Sequence, residues 1–181
     1  MINSINTSAW RHADGKLWFA QHDDNWAYVR ADGYAAPDSA SYYQAESKFS
    51  QDFNHDLITG LPLTTIESAG SIDLLKDIDG NGYARHTDGS TYSISHSNGD
   101  HWGDKTWKNW SLVGAEIING TNTSAWRHAE GKLWFAQHND DWAYVRADGY
   151  AAPASASYFQ AESEFLQDFN NDFAINTDPL A

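Results

Sequence analysis

The sequence predicts a mainly β protein: antiparallel meanders, sandwich- or propeller-like, in an A–B–A internal repeat with two short helices. Three observations predict it. Residues 3–60 return as residues 119–176 without a gap, with about 44 of 58 positions identical. Trp10, Trp18, Trp26 and Tyr34 recur every eight residues, and Trp126, Trp134, Trp142 and Tyr150 repeat that spacing. Asp-Gly pairs separate β-prone runs, which is a strong hairpin signal. A fixed-offset repeat describes architecture before any motif does, and it argues against a single asymmetric catalytic centre.

The first block, 1–60, opens as a three-stranded meander: SAWRHA, KLWFAQH and WAYVRA. A two-residue turn at Asp14-Gly15 pairs His12 with Leu17 and Trp10 with Phe19. One face then carries Trp10, Leu17, Phe19, Trp26 and Tyr28, and the other Trp18, Ala20, Ala27 and Val29. Both faces are partly apolar, so the meander is expected to be packed on both sides. After Pro37 the spacing turns helical. SASYYQAESKFSQDF places Tyr42 or Tyr43, Ala45, Glu46, Phe49 and Phe53 on one side, behind an Asp38 or Ser39 N-cap. The central block, 61–118, has strands SIDLLKD, GYARH and STYSISHS between Gly- and Asp-rich turns, and then WGDKTWKNWSLVGAEII. The second Trp-rich block fills 119–181, and Pro62 and Pro179 help close the two copies. One compact domain is expected.

Composition narrows function. Twenty-five acidic residues against 11 basic ones leave a net charge of −14, which repels nucleic acid and anionic membranes and suits cations. Cysteine is absent, excluding disulfides, thiolate metal sites and cysteine nucleophiles. No run reaches the length of a membrane span, so no membrane insertion is expected. The N-terminus has neither a basic start nor an apolar core, and no secretory signal is visible in it. Nine Trp, nine Tyr and eight Phe are the compositional outlier.

The most specific chemical signal follows each helix. Asp52, Asn54 and Asp56, and again Asp168, Asn170 and Asp172, have the alternate spacing of a calcium loop. There oxygen side chains turn inward around a hard cation. The carbonyls of Ile58 and Ala174 fall where position seven donates. Leu57 and Phe173 replace the usual glycine at position six, and Leu63 and Pro179 replace the final carboxylate. Asp77, Asp79 and Asn81 form a third candidate that also suits a turn. The eight histidines have no zinc spacing and read as locally hydrogen-bonded. Catalytic motifs are missing, and an enzyme is not expected. Aromatics beside Asp and Asn equip a protein to hold sugar rings. Trp18, Trp26, Trp102, Trp107, Trp110, Trp134 and Trp142 are the candidate ligand-binding residues, against a core role for each.

The residues also resemble a known family. I-E-x-x-G-S-x-x-L-L at Ile66–Leu75, W-x-x-x-G-A-E at Trp110–Glu116, the Trp-centred strands, and E-x-x-F-x-x-D-x-N-x-D at Glu162–Asp172 carry the resemblance. Together they look like the tryptophan-rich repeat domain found near the C-termini of large bacterial surface or exported proteins. The resemblance covers about residues 64–176, with residues 1–60 matching its second half alone. It implies a calcium-dependent, extracellular or cell-surface bacterial protein without established catalytic activity. The function expected is therefore a non-catalytic, calcium-stabilised structural or adhesive module. A carbohydrate-binding module and a head-to-tail filament or surface-layer subunit are the alternatives, with glycans or copies of itself as partners.

Overall fold

A computed structural model describes residues 5–175; residues 1–4 and 176–181, Pro179 among them, lie outside the described residues. The chain is mainly β, 43% strand with two helices, in three antiparallel sheets of which none closes. Where the sequence reading has one compact domain, the chain divides into two compact units, Met1–Pro62 and Leu63–Ala181.

The first unit is a sheet in the order β1 (Asn6–Arg11), β2 (Leu17–His22), β3 (Tyr28–Ala35), followed by α1 (Ala40–Phe49). Its register differs from the sequence reading by one residue. Trp10 pairs with Trp18, and Arg11 with Leu17. The cause is the loop: His12 N–H bonds Lys16 O and Gly15 N–H bonds His12 O, with Gly15 at φ 87°. This is a three-residue loop with a left-handed third residue, not a two-residue turn. One slip exchanges every side chain between faces. Trp10, Trp18 and Tyr34 therefore share a face, at separations of eight and sixteen residues. Leu17, Ala9 and Phe19 face the helix instead, in a core with Ala35, Tyr42, Ala45, Phe49 and Phe53.

The helix starts as read, with the Ser39 side chain accepting from Tyr42 N–H. It stops earlier than the periodic run because Ser50 turns left-handed (φ 52°) and Gln51 N–H reaches back to Glu46 O. Phe53 follows beyond the helix end and still packs into the core.

The second unit has a sheet of β4 (Thr64–Glu67), β5 (Ile72–Lys76), β6 (Gly82–His86) and β7 (Thr91–Ser93) in that order. Its other sheet is β8 (Trp110–Ile118), β9 (Thr121–His128), β10 (Leu133–His138) and β11 (Tyr144–Ala151), followed by α2 (Ala156–Phe165). Sequence reading assigned β8 to the central block. The structure instead pairs it with β9 through Leu112–Trp126 and Ala115–Ser124, making it the fourth strand of the Trp-rich sheet. The β9–β11 registers repeat those of β1–β3 at the same offset.

The two sheets of this unit share one core: Ile72, Leu74, Ala84 and Ile94 meet Leu112, Trp126, Ala136 and Trp142 around Trp102. Helix α2 covers the opposite face of the β8–β11 sheet through Tyr158, Ala161 and Phe165. One junction explains two quoted motifs. The Glu116 carboxylate accepts from Ser71 N–H (2.7 Å) and the Ser71 hydroxyl. That approach requires glycine at 70, where a Cβ would stand 1.5 Å from a Glu116 oxygen.

Candidate functional site

The Trp-rich face occurs twice with the same side chains, buried once and bare once. In the second unit Trp102 enters as a plug from the segment between β7 and β8. Its ring centroid lies 4.9 Å from Trp107, 4.9 Å from Tyr144, 5.9 Å from Trp126 and 5.9 Å from His138. Trp126 and Trp142 have no exposed surface, and Trp142 Nε1–H donates to His86 Nε2 at 3.0 Å. Ser95, just past β7, bonds across: its N–H donates to Trp142 O, and its carbonyl accepts from Tyr144 N–H. In the first unit the equivalent Trp10, Trp26 and Tyr28 are 60%, 57% and 61% exposed. Trp18 lies between them, 6.4 Å from Trp10 and stacked on Tyr28.

A hydrogen-bond relay sets both faces. Trp126 Nε1–H donates to Ser124 Oγ, whose hydroxyl donates to His138 Nε2, while His138 Nδ1–H donates to Trp142 O. Ser8, Trp10, His22 and Trp26 repeat it at 2.8–3.1 Å. The relay needs a neutral imidazole, and burial pushes His138 down to about 4. A sequence signal for it exists: Ser and Trp two apart on one strand, with His on the next.

Trp26 and Trp142 also share an unusual backbone, at φ 62° and 60°. They close three-residue loops in the place where Gly15 closes the preceding one. A bulky residue in the left-handed region is a true outlier, and such strain costs on the order of 1–3 kcal/mol. In the second unit full burial of the indole offsets it.

The sequence-predicted ligand residues divide by location. Trp102 and Trp142 are core and present no surface to a ligand. Trp18 and Trp26 belong to the bare face. Trp107, Trp110 and Trp134 come together with Ala147 and Tyr150 in a groove of about 320 Å³. Beyond Trp110 a depression of about 550 Å³ offers Asp104, Asn109, Ser111, Arg127 and His128. Lys132 sits 5.9 Å from the Trp110 ring.

At the helix exits, Asp52 accepts from His55 N–H (2.6 Å) and Leu57 N–H (3.0 Å), and Asp56 from Ile58 N–H. Asp168 accepts from Asp172 and Phe173 N–H, and Asp172 from Ala174 N–H. Asn54 and Asn170 donate to Asp56 and Asp172. Leu57 and Phe173, standing for the expected glycine, are left-handed at φ 73° and 68°. Sequence reading missed the role of Glu46 and Glu162. Each is fully buried and takes two loop amides, Phe53 and Asn54 or Phe169 and Asn170. Glu46 also takes Gly60 N–H; the matching position, 176, lies outside the described residues.

The third candidate is a hairpin turn. Asp77 accepts from Asp79 N–H, Asn81 N–H, Asn81 Nδ2 and Tyr83 OH, and Asp79 faces Lys105. Among the described residues no three His, Cys, Asp or Glu side chains are grouped to hold a metal ion. Among them, too, no helix is long and apolar enough to cross a membrane.

The model of one protein family matches residues 72–176, from β5 through the second Asp/Asn loop. No curated protein and no solved structure matches the chain. The match begins just after the Gly70–Glu116 junction and contains the plugged Trp face. The chain belongs to the family described as the tryptophan-rich Synechocystis species C-terminal domain.

Proposed function

We propose that the chain is a non-catalytic, calcium-stabilised structural and adhesive module of an exported bacterial protein. In sequence, two copies of one sheet–helix element flank a β block. The observation that carries the calcium reading is the backbone of Leu57 and Phe173. Both adopt the left-handed turn that glycine supplies in a calcium loop, yet their side chains are 93% and 99% exposed. Packing gains nothing from holding them there, whereas the turn directs Asp52 and Asp56, or Asp168 and Asp172, into one loop. An ion bound only by the folded loop stabilises it by mass action, about 2.7 kcal/mol at a hundredfold excess over Kd. Thermal melts with calcium and with EGTA test this. A Tm several degrees lower in EGTA, with the difference lost in Asp52→Ala plus Asp168→Ala, is expected. A Tm indifferent to both treatments refutes it.

A second reading, carbohydrate binding, is favoured by the groove of Trp107, Trp110, Trp134 and Tyr150. Flat aromatic faces cover the apolar side of a pyranose, and Asp104 and Asn109 beyond Trp110 suit its hydroxyls. Titration with polysaccharides, followed by tryptophan fluorescence in wild type and Trp110→Ala, separates the two readings. Saturable quenching lost in the variant supports the sugar site.

A further inference from the structure

We propose that the bare face of β1–β3 is the docking surface for a second β block of the 63–118 kind, brought by another polypeptide. The proposal deepens the structural-module reading by naming the partner. It rests on the same side chains being seen in both states.

In the second unit, residues 63–118 supply everything that hides the face: the Trp102 plug, the Ser95 bridge, the His86 acceptor and the flanking strand β8. Every receiving group there has an identical counterpart in the first unit. Ser8, Trp10, Trp18, Trp26 and Tyr28 stand for Ser124, Trp126, Trp134, Trp142 and Tyr144. The local geometry is also preset. The Ser8–His22–Trp26 relay is formed, and Trp26 holds its left-handed backbone at φ 62°.

That strain brings no burial in the first unit, since Trp26 is 57% exposed. Loop hydrogen bonds hold that backbone, with His22 donating to Trp26 O and Asp23 accepting from Asn25 and Ala27 N–H. The indole stays largely in water, and such an outlier points to a binding role. β1 is the edge strand of its sheet, and its counterpart β9 takes β8 at the corresponding edge. Docking would thus combine strand addition with an aromatic plug. The 181 residues hold two such faces and one block, and that block is spent within the second unit. An intact second copy therefore has no block to give. The partner must bring one that lacks its own sheet.

The test adds the missing block to the full chain. Residues 63–118 are fused ahead of Asn3, which reproduces the natural Ile118–Asn119 junction. Amide exchange at Tyr28 is expected to slow about tenfold or more, toward that of Tyr144, and Trp26 to become inert to N-bromosuccinimide. In trans, wild type mixed with Trp142→Ala, whose block has lost the Trp142 donor to its His86, should form a 1:1 complex by light scattering. Trp26→Ala in the wild-type partner should abolish that complex. An added block that stays protease-sensitive while Tyr28 exchanges as before overturns the proposal, as does a mixture that stays monomeric. Wild-type dimers abolished by Trp26→Ala would assign the face to a second copy and overturn it too. None of these readouts involves EGTA, so failure here and failure of the calcium-stabilised reading are separate results.

Discussion

Trp26→Ala and Trp142→Ala remove the same side chain from the same loop and should cost very different amounts. The left-handed backbone is common to both, at φ 62° and 60°, so its contribution cancels. Trp142 has no exposed surface and donates to His86. A buried aromatic removes 150–250 Å² from water, about 4–6 kcal/mol at 25 cal/mol per Å². Measured Trp-to-Ala changes in cores run at about 3–5 kcal/mol, cavity included. The orphaned His86 acceptor adds about 1 kcal/mol. Trp26 has more than half its surface already in water and leaves no cavity, so on the same scale its loss costs about 2 kcal/mol. The expected difference is about 3 kcal/mol or more, roughly 10 °C in Tm. Urea and thermal unfolding of the two variants measure it. Equal losses, within 1 kcal/mol, would falsify the assignment of one covered and one bare face.

Three further outcomes are expected. His138 titrates at about 4 when folded against 6.5 when free. Its contribution is full above pH 6.5 and is lost as pH falls toward 4; between pH 7.5 and 5 the second unit should lose about 2 kcal/mol, and His138→Gln should flatten that slope in pH-dependent melts. Gly70→Ala drives a Cβ into Glu116 and breaks its bonds to Ser71; a loss of about 2–3 kcal/mol is expected in urea titration. Glu162→Gln keeps an acceptor for the Phe169 and Asn170 amides and should cost less than removal of the side chain. Glu162→Ala orphans both amides and should cost about 2 kcal/mol in the same titration.

Much of the fold was legible because its punctuation is local. Ser39 announces its helix, and the Asp-Gly pairs announce hairpins. The register was misread because an Asp-Gly turn of two residues and a three-residue loop with Gly last look alike as text. They differ in whether Lys16 stands opposite Ala13 or, as here, opposite His12. β8 was credited to the central block because strand partnership is a long-range property that no local pattern states. Of the candidate site, the Asp52 and Asp168 loops were visible as spacing. The buried Glu46 and Glu162 that hold those loops were not, since a helical Glu reads as solvent-facing. Nor could the text separate Trp26 from Trp142. Their neighbours in sequence are nearly the same, and burial is decided by residues some fifty positions away.

The three-residue loops have a further consequence. Strand plus loop takes eight residues from Trp10 to Trp18 and, with two bulges, sixteen from Trp18 to Tyr34, so the three stand on successive strands like marks on a ruler. One residue inserted between Ala13 and Gly15 would rotate Trp10 to the helix side and leave Trp18 and Tyr34 in place. One inserted between Asp24 and Trp26 would strand Tyr34 and leave the other two. Loop length, ordinarily the most forgiving property of a β sheet, is here the quantity that keeps the aromatic marks aligned.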